Sequence, residues 1–211
     1  MLPIAALSEI ERRCDISLPR AYRAFVERGY LTHPGPAYLW VHEAEWLPPA
    51  EVGSRGVFFG NPKPGLVAFA FTGGRDLWCW QSRQVGVTKE HPIVLCPRDS
   101  YEGSWHAPSF IGWLYRLALE SVVPLWDDEQ EARLNLHKWA SLVEEFDEPA
   151  WGIDLHAIAD RQVVPHVGRR GQRIGALLTA DELTSRVRRA FGDGYVNSPY
   201  IWDVEGETHG V

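Results

Sequence analysis

Apolar residues in the first thirty positions recur at the intervals of an α-helix. Steps of three and four residues between them predict a helix over residues 4–14 with one face turned inward. A second helix is predicted with Pro19 in its first turn, because the missing N–H of proline would be unpaired there anyway. Tyr22 and Phe25 belong to its apolar stripe, and Gly29 is its predicted end, since glycine accepts left-handed dihedral angles.

The pattern changes in the middle third, where short segments rich in β-branched and aromatic residues are separated by glycine, proline and asparagine. This spacing is typical of antiparallel strands with tight connections. Alternation of apolar and polar positions is weak, which indicates a sheet covered on both faces. Gly73 and Gly74 predict a two-residue hairpin turn, because glycine permits its positive φ angles. The predicted strands are residues 37–42, 57–60, 66–71, 77–81 and 93–96.

Helical patterns return in the last half of the chain. Ser109 is a candidate N-cap for the first of these helices, and Thr179 with Glu182 matches a capping box for the last, which Gly192 ends. The predicted helices cover residues 110–120, 127–146, about 154–160 and the segment between 179 and 192, and a short edge strand is predicted over 162–166.

This order of elements predicts the α+β class. We expect a mostly antiparallel sheet of about five or six strands, packed with the N-terminal helices and the helix that follows it, plus a helical C-terminal extension. The chain of 211 residues suits one domain, or a domain with an extension. We place an α+β domain at 1–124 and a mainly helical extension, packed on it, at 125–211.

Composition excludes several classes of protein. Apolar residues make up 45% of the chain and charged residues 23%, which is typical of a globular protein and excludes a disordered chain, collagen and a coiled coil. No uncharged apolar run approaches the roughly 18 residues that span a membrane. The start, MLPIAALSE, lacks the basic region of a secretory signal, so we expect a cytoplasmic protein. Three widely spaced cysteines predict reduced, mostly buried thiols.

Charge is unevenly distributed along the chain. The formal net charge is −7, which makes nucleic acid a poor candidate partner. The acidic block, from Glu120 to Asp160, holds 11 acidic and 2 basic residues, and the basic block, from Arg161 to Arg189, holds seven arginines against two carboxylates. Two interpretations are open: the blocks pair with each other, or the acidic helix faces a basic partner. In the second case the candidate partner-binding residues are Asp127, Asp128, Glu129, Glu131, Glu144, Glu145, Asp147 and Glu148.

No motif of an enzyme or of a metal site is complete. Residues 60–66 come near a phosphate-binding loop, but Leu66 stands where lysine is required and two prolines remove N–H groups. His42 begins a zinc-protease pattern whose second histidine position holds Trp46. The eight histidines are scattered, and each taken singly is more often structural than catalytic. We therefore expect no enzyme, no cofactor and no metal.

Four tryptophans, at positions 78, 80, 105 and 113, lie around the predicted sheet and the helix behind it. They either fill the core or line a groove for a peptide or a sugar, because aromatic faces offer much contact area at low entropic cost. Cys79 lies between two of them, and apolar surroundings would raise the pKa of its thiol and make it unreactive.

The order of five segments is more informative than any single motif. They are D-I-x-L-P-x-x-Y-x-x-F over 15–25, W-x-x-P-x-E over 46–51, V-F-F-G over 57–60, L-V-A-F over 66–69 and S-F-I-G-W-L over 109–114. In this order they resemble the SUKH superfamily, which contains many bacterial toxin-immunity proteins and yeast regulators of cell-wall assembly. The resemblance covers roughly residues 4–120.

The resemblance implies an α+β domain without a catalytic centre, which neutralises a toxin by binding it directly. We expect an immunity protein whose partner is a cognate toxin or effector. If the acidic block is the contact surface, that partner is basic. We expect no membrane partner. A second hypothesis is an intracellular scaffold or regulator that binds proteins or peptides through the tryptophan-lined sheet. A third is an enzyme that uses an unrecognised arrangement of histidine and aspartate. Gene neighbourhood separates the first two hypotheses.

Overall fold

The structure, a computed structural model, describes residues 4–30, 44–54, 65–83, 90–98, 100, 102–123, 129–146, 151–167, 173–196 and 198–201. Within these ranges the chain forms six α-helices, eight strands and one short 3-10 helix. The helices are α1 (Ile4–Cys14), α2 (Arg20–Glu27), α3 (Phe110–Glu120), α4 (Glu129–Val143), α5 (Leu155–Ala159), α6 (Ala180–Phe191) and the 3-10 helix (Asp193–Tyr195). The strands are β1 (Glu45–Trp46), β2 (Leu66–Phe71), β3 (Leu77–Gln81), β4 (Ile93–Cys96), β5 (Glu102–Ala107), β6 (Val164–Val167), β7 (Arg173–Ala176) and β8 (Pro199–Ile201).

The main sheet has six strands in the order β1-β2-β3-β4-β5-β8, and all neighbours are antiparallel. Strands β6 and β7 form a separate antiparallel hairpin. The predicted α+β class is confirmed: the antiparallel sheet, expected to have about five or six strands, has six and is accompanied by N-terminal and C-terminal helices. The strands predicted over 66–71, 77–81 and 93–96 are found with those bounds, whereas 37–42 and 57–60 lie outside the described residues.

The two N-terminal helices form where their sequence patterns predict them. Helix α1 has the predicted bounds, whereas α2 begins one residue later than predicted, with Pro19 as its N-cap residue and not in its first turn. Gly29 follows α2 with a φ angle of 73°, in the left-handed region that glycine tolerates. Glu11 of α1 accepts a 2.8 Å hydrogen bond from the Leu18 N–H and forms an ion pair with Arg23. One carboxylate therefore joins α1, the following loop and α2.

A layer of aromatic rings joins the helices to the sheet. Phe69 of β2 stacks on Trp80 of β3, with ring centroids 4.3 Å apart. Tyr22 of α2 meets Trp80 edge to face at 4.9 Å, and Trp113 of α3 meets Phe69 in the same way at 5.0 Å. Phe110 contacts all four of these rings. All five rings are fully buried, and every residue of β3 is buried, so the main sheet is covered on both faces as predicted.

The turn between β2 and β3 differs from its prediction. Neither Gly73 nor Gly74 adopts a left-handed conformation; the residue that does is Arg75, with a φ angle of 70°. The reason is that the connection is longer than two residues. The Thr72 N–H donates to the Asp76 carbonyl at 2.8 Å, and the Arg75 N–H donates to the Thr72 carbonyl at 2.8 Å. These bonds move the left-handed position to the end of the loop.

The later helices start at the predicted caps. Ser109 Oγ accepts a 3.0 Å bond from the Gly112 N–H and caps α3. Thr179 and Glu182 form the predicted capping box of α6, which Gly192 ends with a φ angle of 93°. The helix predicted over 127–146 is α4, and the short helix predicted over 154–160 is α5, capped by Asp154.

The segment after α3 contributes one strand, β8, to the edge of the main sheet. The Leu177 N–H donates to the Val122 carbonyl at 2.9 Å, and β8 pairs with β5 in the register Gly103 to Tyr200. The edge strand predicted over 162–166 is β6 of the separate hairpin. Strand β8 was not predicted, because three residues that begin with proline carry little strand signal. The domain division at 124 stays a prediction.

Gly53 lies where a side chain would be blocked. A Cβ built there would sit 2.3 Å from Cys14 Sγ and 3.3 Å from Val67 Cγ1, at a φ angle of 70°. Gly152 has a similar φ angle, 65°, but a Cβ there would meet nothing within 4 Å. A side chain at Gly53 would meet both backbone strain and steric crowding, whereas one at Gly152 would meet backbone strain alone. Comparing the two positions therefore isolates the effect of crowding.

We predict that Gly53→Ala lowers the free energy of unfolding by clearly more than Gly152→Ala, which costs about 1 kcal/mol from strain alone. Urea unfolding of both variants measures the difference. Cys14→Ala in the Gly53→Ala background should remove most of the excess, because the blocking atom is gone. Equal losses in the two glycine variants would show that crowding at Cys14 is absent.

Candidate functional site

The predicted partner-binding carboxylates lie along α4 and beyond its ends. Glu129 and Glu131 occupy the first turn of α4, and Glu144 and Glu145 follow its last residue. Asp127, Asp128, Asp147 and Glu148 lie outside the described residues. Fifteen residues of helix separate the two described groups by about 20 Å, so the carboxylates form a strip and not a cluster.

The described carboxylates of the strip are exposed. The side chains of Glu129, Glu144 and Glu145 keep 52%, 60% and 47% of their surface in contact with solvent, and Glu131 is exposed as well. Between the two ends, Leu134 points outward with 55% exposure. The inner face of α4 is buried through Leu136, Trp139, Ala140, Leu142 and Val143.

Two of these carboxylates have strong local partners. Glu129 accepts hydrogen bonds from Arg133 one turn later, at 2.8 and 3.0 Å. Glu145 pairs with Arg28, the residue that ends α2, and the Arg28 guanidinium also lies over the rings of Tyr30 and Phe146. The ion pair with Glu145 raises the pKa of Arg28. Glu145 therefore fastens the end of α4 to α2.

The acidic and basic blocks do not pair with each other in the described residues. Carboxylates of the acidic block pair with Arg28, with arginines of α3 and α4, or with histidines. Arginines of the basic block pair with Glu182 and Asp193, which lie outside the acidic block. The described ion pairs thus give no support to the first interpretation of the charge pattern.

Two histidines of the acidic block lie against each other between α4 and α5. His137 Nδ1 and His156 Nδ1 are 2.8 Å apart. His137 Nε2 lies 3.4 Å from Asp160 Oδ1, and His156 Nε2 lies 3.7 Å from Glu144 Oε1. The sequence gives no signal for this pair, because no spacing rule connects histidines that lie on two different helices nineteen residues apart.

Most of the singled-out tryptophans fill the core. Trp78, Trp80 and Trp113 are at most 3% exposed, which confirms the core interpretation for these three. Trp105 of β5 is only partly buried and lines a surface cavity of about 400 Å³. The other lining residues are Gly194, Tyr195, Ser198 and Pro199.

A buried polar group lies where β5, α3 and the 3-10 helix meet. His106 is 4% exposed, and its ring meets Trp78 edge to face at 4.4 Å. Arg116 donates to the carbonyls of His106 and Tyr195 at 2.8 and 2.7 Å and to Glu120 at 2.8 Å. Burial, together with the charge of Arg116, lowers the pKa of His106 well below its usual value, so the imidazole is neutral.

The thiol that sequence analysis judged unreactive is buried. Cys79 is 0% exposed. Burial is the main cause that raises the pKa of its thiol, and the neighbouring Cys96 is the second. A thiol in this state is not a nucleophile. In the described ranges, no three His, Cys, Asp or Glu side chains come together in a way that could hold a metal ion. No α-helix among the described residues is both long and apolar enough for a membrane span.

Comparison with known proteins identifies one family whose sequence model matches more than half of the chain. The model of the SMI1 / KNR4 family (SUKH-1) matches residues 2–116, so the resemblance inferred over roughly 4–120 is confirmed. That family includes toxin-immunity proteins and SMI1/KNR4 regulators, and its members are generally non-enzymatic. Neither the comparison with curated proteins nor that with solved structures found a match.

His106 makes stability depend on pH. Its pKa is lower in the folded than in the unfolded chain, so the unfolded chain binds more protons below the usual value of 6.5. Stability is therefore fully present above pH 6.5 and is lost as the pH falls toward the folded pKa. We predict that this loss is reduced in His106→Phe, whose ring can still pack on Trp78. Wild type should lose up to about 1.4 kcal/mol per pH unit more than the variant.

Urea unfolding at closely spaced pH values between neutrality and about pH 5 measures this difference. The comparison uses the slope of the free energy of unfolding against pH in each protein. The absolute free energies are not compared, because phenylalanine also changes the packing. Parallel curves for the two proteins would contradict the assignment to His106.

Proposed function

This chain belongs to the SMI1 / KNR4 family (SUKH-1), and from that premise we propose that it is an immunity protein that binds a cognate toxin and blocks it by direct contact. We propose that it acts in the cytoplasm. In this proposal the α+β domain at 1–124 supplies the framework, and the extension at 125–211 supplies the surface that meets the toxin.

The observation that supports this surface most comes from the described part of the acidic block, where Glu129, Glu144 and Glu145 stay exposed and form their ion pairs with residues outside the basic block. The ion pairs of its described carboxylates are with arginines of α2, α3 and α4 and with three histidines. A surface with this excess of negative charge attracts a basic partner before contact and raises its association rate. The block therefore suits a basic toxin.

Exposed charge by itself supplies little affinity, because rim ion pairs contribute little once salt is present. Leu134 offers the apolar contact that such a strip needs. It is 55% exposed, lies between the two acidic ends of α4 and is separated by one turn from Glu131 and Lys138. In the proposal it enters an apolar pocket of the toxin, while the carboxylates meet basic residues at the rim of that pocket.

The proposal is tested by expressing the chain together with the effector encoded beside its gene. Rescue of growth, and recovery of both proteins in one complex after purification, are the expected results. A neighbouring gene product that stays toxic in its presence and fails to co-purify would exclude that protein as the partner. If no effector gene lies nearby, the regulator hypothesis gains.

We predict that the triple variant Glu131→Lys, Asp147→Lys, Glu148→Lys associates with the toxin more slowly and with a weaker dependence on salt. Each carboxylate removed from the field of the acidic block lowers the attraction of a basic partner. Stopped-flow association at several salt concentrations measures both effects, with roughly tenfold slower association at low salt as the expected size.

A matched control carries the same change in net charge elsewhere. Glu9→Lys, Glu102→Lys, Asp181→Lys changes three exposed carboxylates outside the acidic block. This control should associate nearly as fast as wild type. Glu145 is left unchanged in the test variant because it holds Arg28, and its loss would disturb the fold. Equal slowing in both triple variants would mean that only net charge matters, and the acidic strip would lose its role.

A second candidate function is supported by the cavity beside Trp105. Trp105 and Tyr195 both line it and meet edge to face at 6.5 Å, which gives two aromatic rings suited to a peptide. A scaffold or regulator would use this cavity in place of the acidic strip. Trp105→Ala should then abolish partner binding, whereas the triple variant of the acidic block should leave it intact. The immunity proposal predicts that Trp105→Ala leaves toxin binding intact and that the triple variant slows association.

A further inference from the structure

The contact between His137 and His156 has the geometry of a hydrogen bond. Their Nδ1 atoms are 2.8 Å apart, and the ring centroids are 5.1 Å apart with planes inclined by 30°. The centroid distance nearly equals the nitrogen contact plus the two ring radii. Both nitrogens therefore lie close to the line between the rings, as in a linear N–H···N bond.

The same geometry argues against a metal ion between the rings. An ion on that line would hold the nitrogens about 4 Å apart, because each metal–nitrogen bond is about 2.0 to 2.1 Å long. In the part of the chain that the structure describes, no third ligand joins the two rings. A shared proton fits the 2.8 Å contact without any movement.

The far sides of both rings face carboxylates. Asp160 Oδ1 lies 3.4 Å from His137 Nε2, and Glu144 Oε1 lies 3.7 Å from His156 Nε2. The four groups form a row of carboxylate, imidazole, imidazole and carboxylate. Three protons on the four ring nitrogens satisfy the whole row: one points to each carboxylate and one lies between the two Nδ1 atoms. A fourth proton would set two N–H groups against each other.

We propose that His137 and His156 share one Nδ1 proton and form a pH-dependent latch between α4 and α5. The latch is closed while one Nδ1 is unprotonated and can accept. It opens when both rings become imidazolium, because two N–H donors cannot stay 2.8 Å apart. The rings are 38% and 40% exposed, so they can turn apart without unfolding the core.

Other charged side chains of α3, α4 and α5 near the two imidazoles have partners of their own or face solvent. Arg133 of α4 donates to the Ala159 carbonyl at the end of α5 and to Glu129. Asp154 caps α5 through the Ala157 N–H. On α3, Arg116 is engaged with Glu120 and backbone carbonyls. Lys138 is exposed on the outer face of α4. Within the described residues only Asp160 and Glu144 form ion pairs with the two imidazoles.

Opening the latch also changes the acidic block. With both rings charged, the row of two carboxylates and two imidazolium ions has no net charge, so this part of the block ceases to attract cations. A basic toxin would then associate more slowly at low pH, a consequence that rests on the proposed function. The latch itself does not depend on any partner.

The direct test is nuclear magnetic resonance of the full chain, alone, with ¹⁵N-labelled histidine. At about pH 7.5 we expect a scalar coupling across the hydrogen bond between the Nδ1 nuclei of His137 and His156. The coupling should vanish in acid, once the ¹⁵N chemical shifts of both residues show two protons on each ring. The absence of this coupling at the higher pH, with both residues assigned, would overturn the proposal.

A thermodynamic test uses His137→Gln, His156→Gln and the double variant. At about pH 7.5 the effects of the single changes on the unfolding equilibrium constant should be non-additive by about threefold to tenfold, the range of one hydrogen bond. At an acidic pH where the ¹⁵N chemical shifts show two protons on each ring, the non-additivity should disappear or change sign. The control cycle pairs His137→Gln with His166→Gln on the β6–β7 hairpin and should be additive at both values.

Two results would overturn the latch even if the pair proved to be coupled. Non-additivity of equal size at both pH values would mean an ordinary packing contact that no proton controls. Zn²⁺ is the second probe: binding to wild type that is lost in both single variants would make the pair a metal site instead. Neither result bears on whether the chain neutralises a toxin, because no partner is present in these experiments.

Discussion

The stacking of Phe69 on Trp80 is the contact on which the rest of the structure depends. The two rings lie in adjacent strands at 4.3 Å, and α2 and α3 each reach this pair with aromatic rings of their own. A buried aromatic side chain removes 150–250 Å² from water, so five such rings dominate the core. Because this layer uses the aromatic faces of Trp80 and Trp113 for packing, recognition of a partner must take place outside it.

Arg116 connects this core with the end of the chain. Its guanidinium donates to the carbonyl of His106 on β5 and to that of Tyr195 in the 3-10 helix. Glu120, which lies on α3 like Arg116 itself, balances the charge of the guanidinium. Hydrogen bonds to a charged donor of this kind contribute about 1.5–3 kcal/mol each. The cavity beside Trp105 lies at the same junction, since Tyr195 belongs to both. Its shape is therefore fixed by the fold.

Sequence patterns predicted the elements whose signals are local. Ser109 and the Thr179–Glu182 capping box placed two helix starts, because a cap is formed within four residues. Strand β8 and the pairing of His137 with His156 depend on residues far apart in the chain, and no local pattern contains them. The glycine turn failed for a related reason: hydrogen bonds of Thr72, and not the glycines, set where the chain turns left-handed. The acidic residues of the candidate surface were found from composition, but their exposure required the structure.

Acidic residues lie at both ends of α4, and the helix dipole acts on the two ends with opposite sign. Glu129 and Glu131 lie at the N-terminal end, where the helix dipole favours negative charge, but Glu144 and Glu145 follow the C-terminal end, where it disfavours charge of that sign by about 0.3–1 kcal/mol. Arg28 and His156 offset this cost locally. Stability alone would favour basic residues at this end. Glu145 serves the fold through its pair with Arg28, and in the proposed function the acidic residues of this end, together with the exposed Leu134, also form the surface that meets a basic partner.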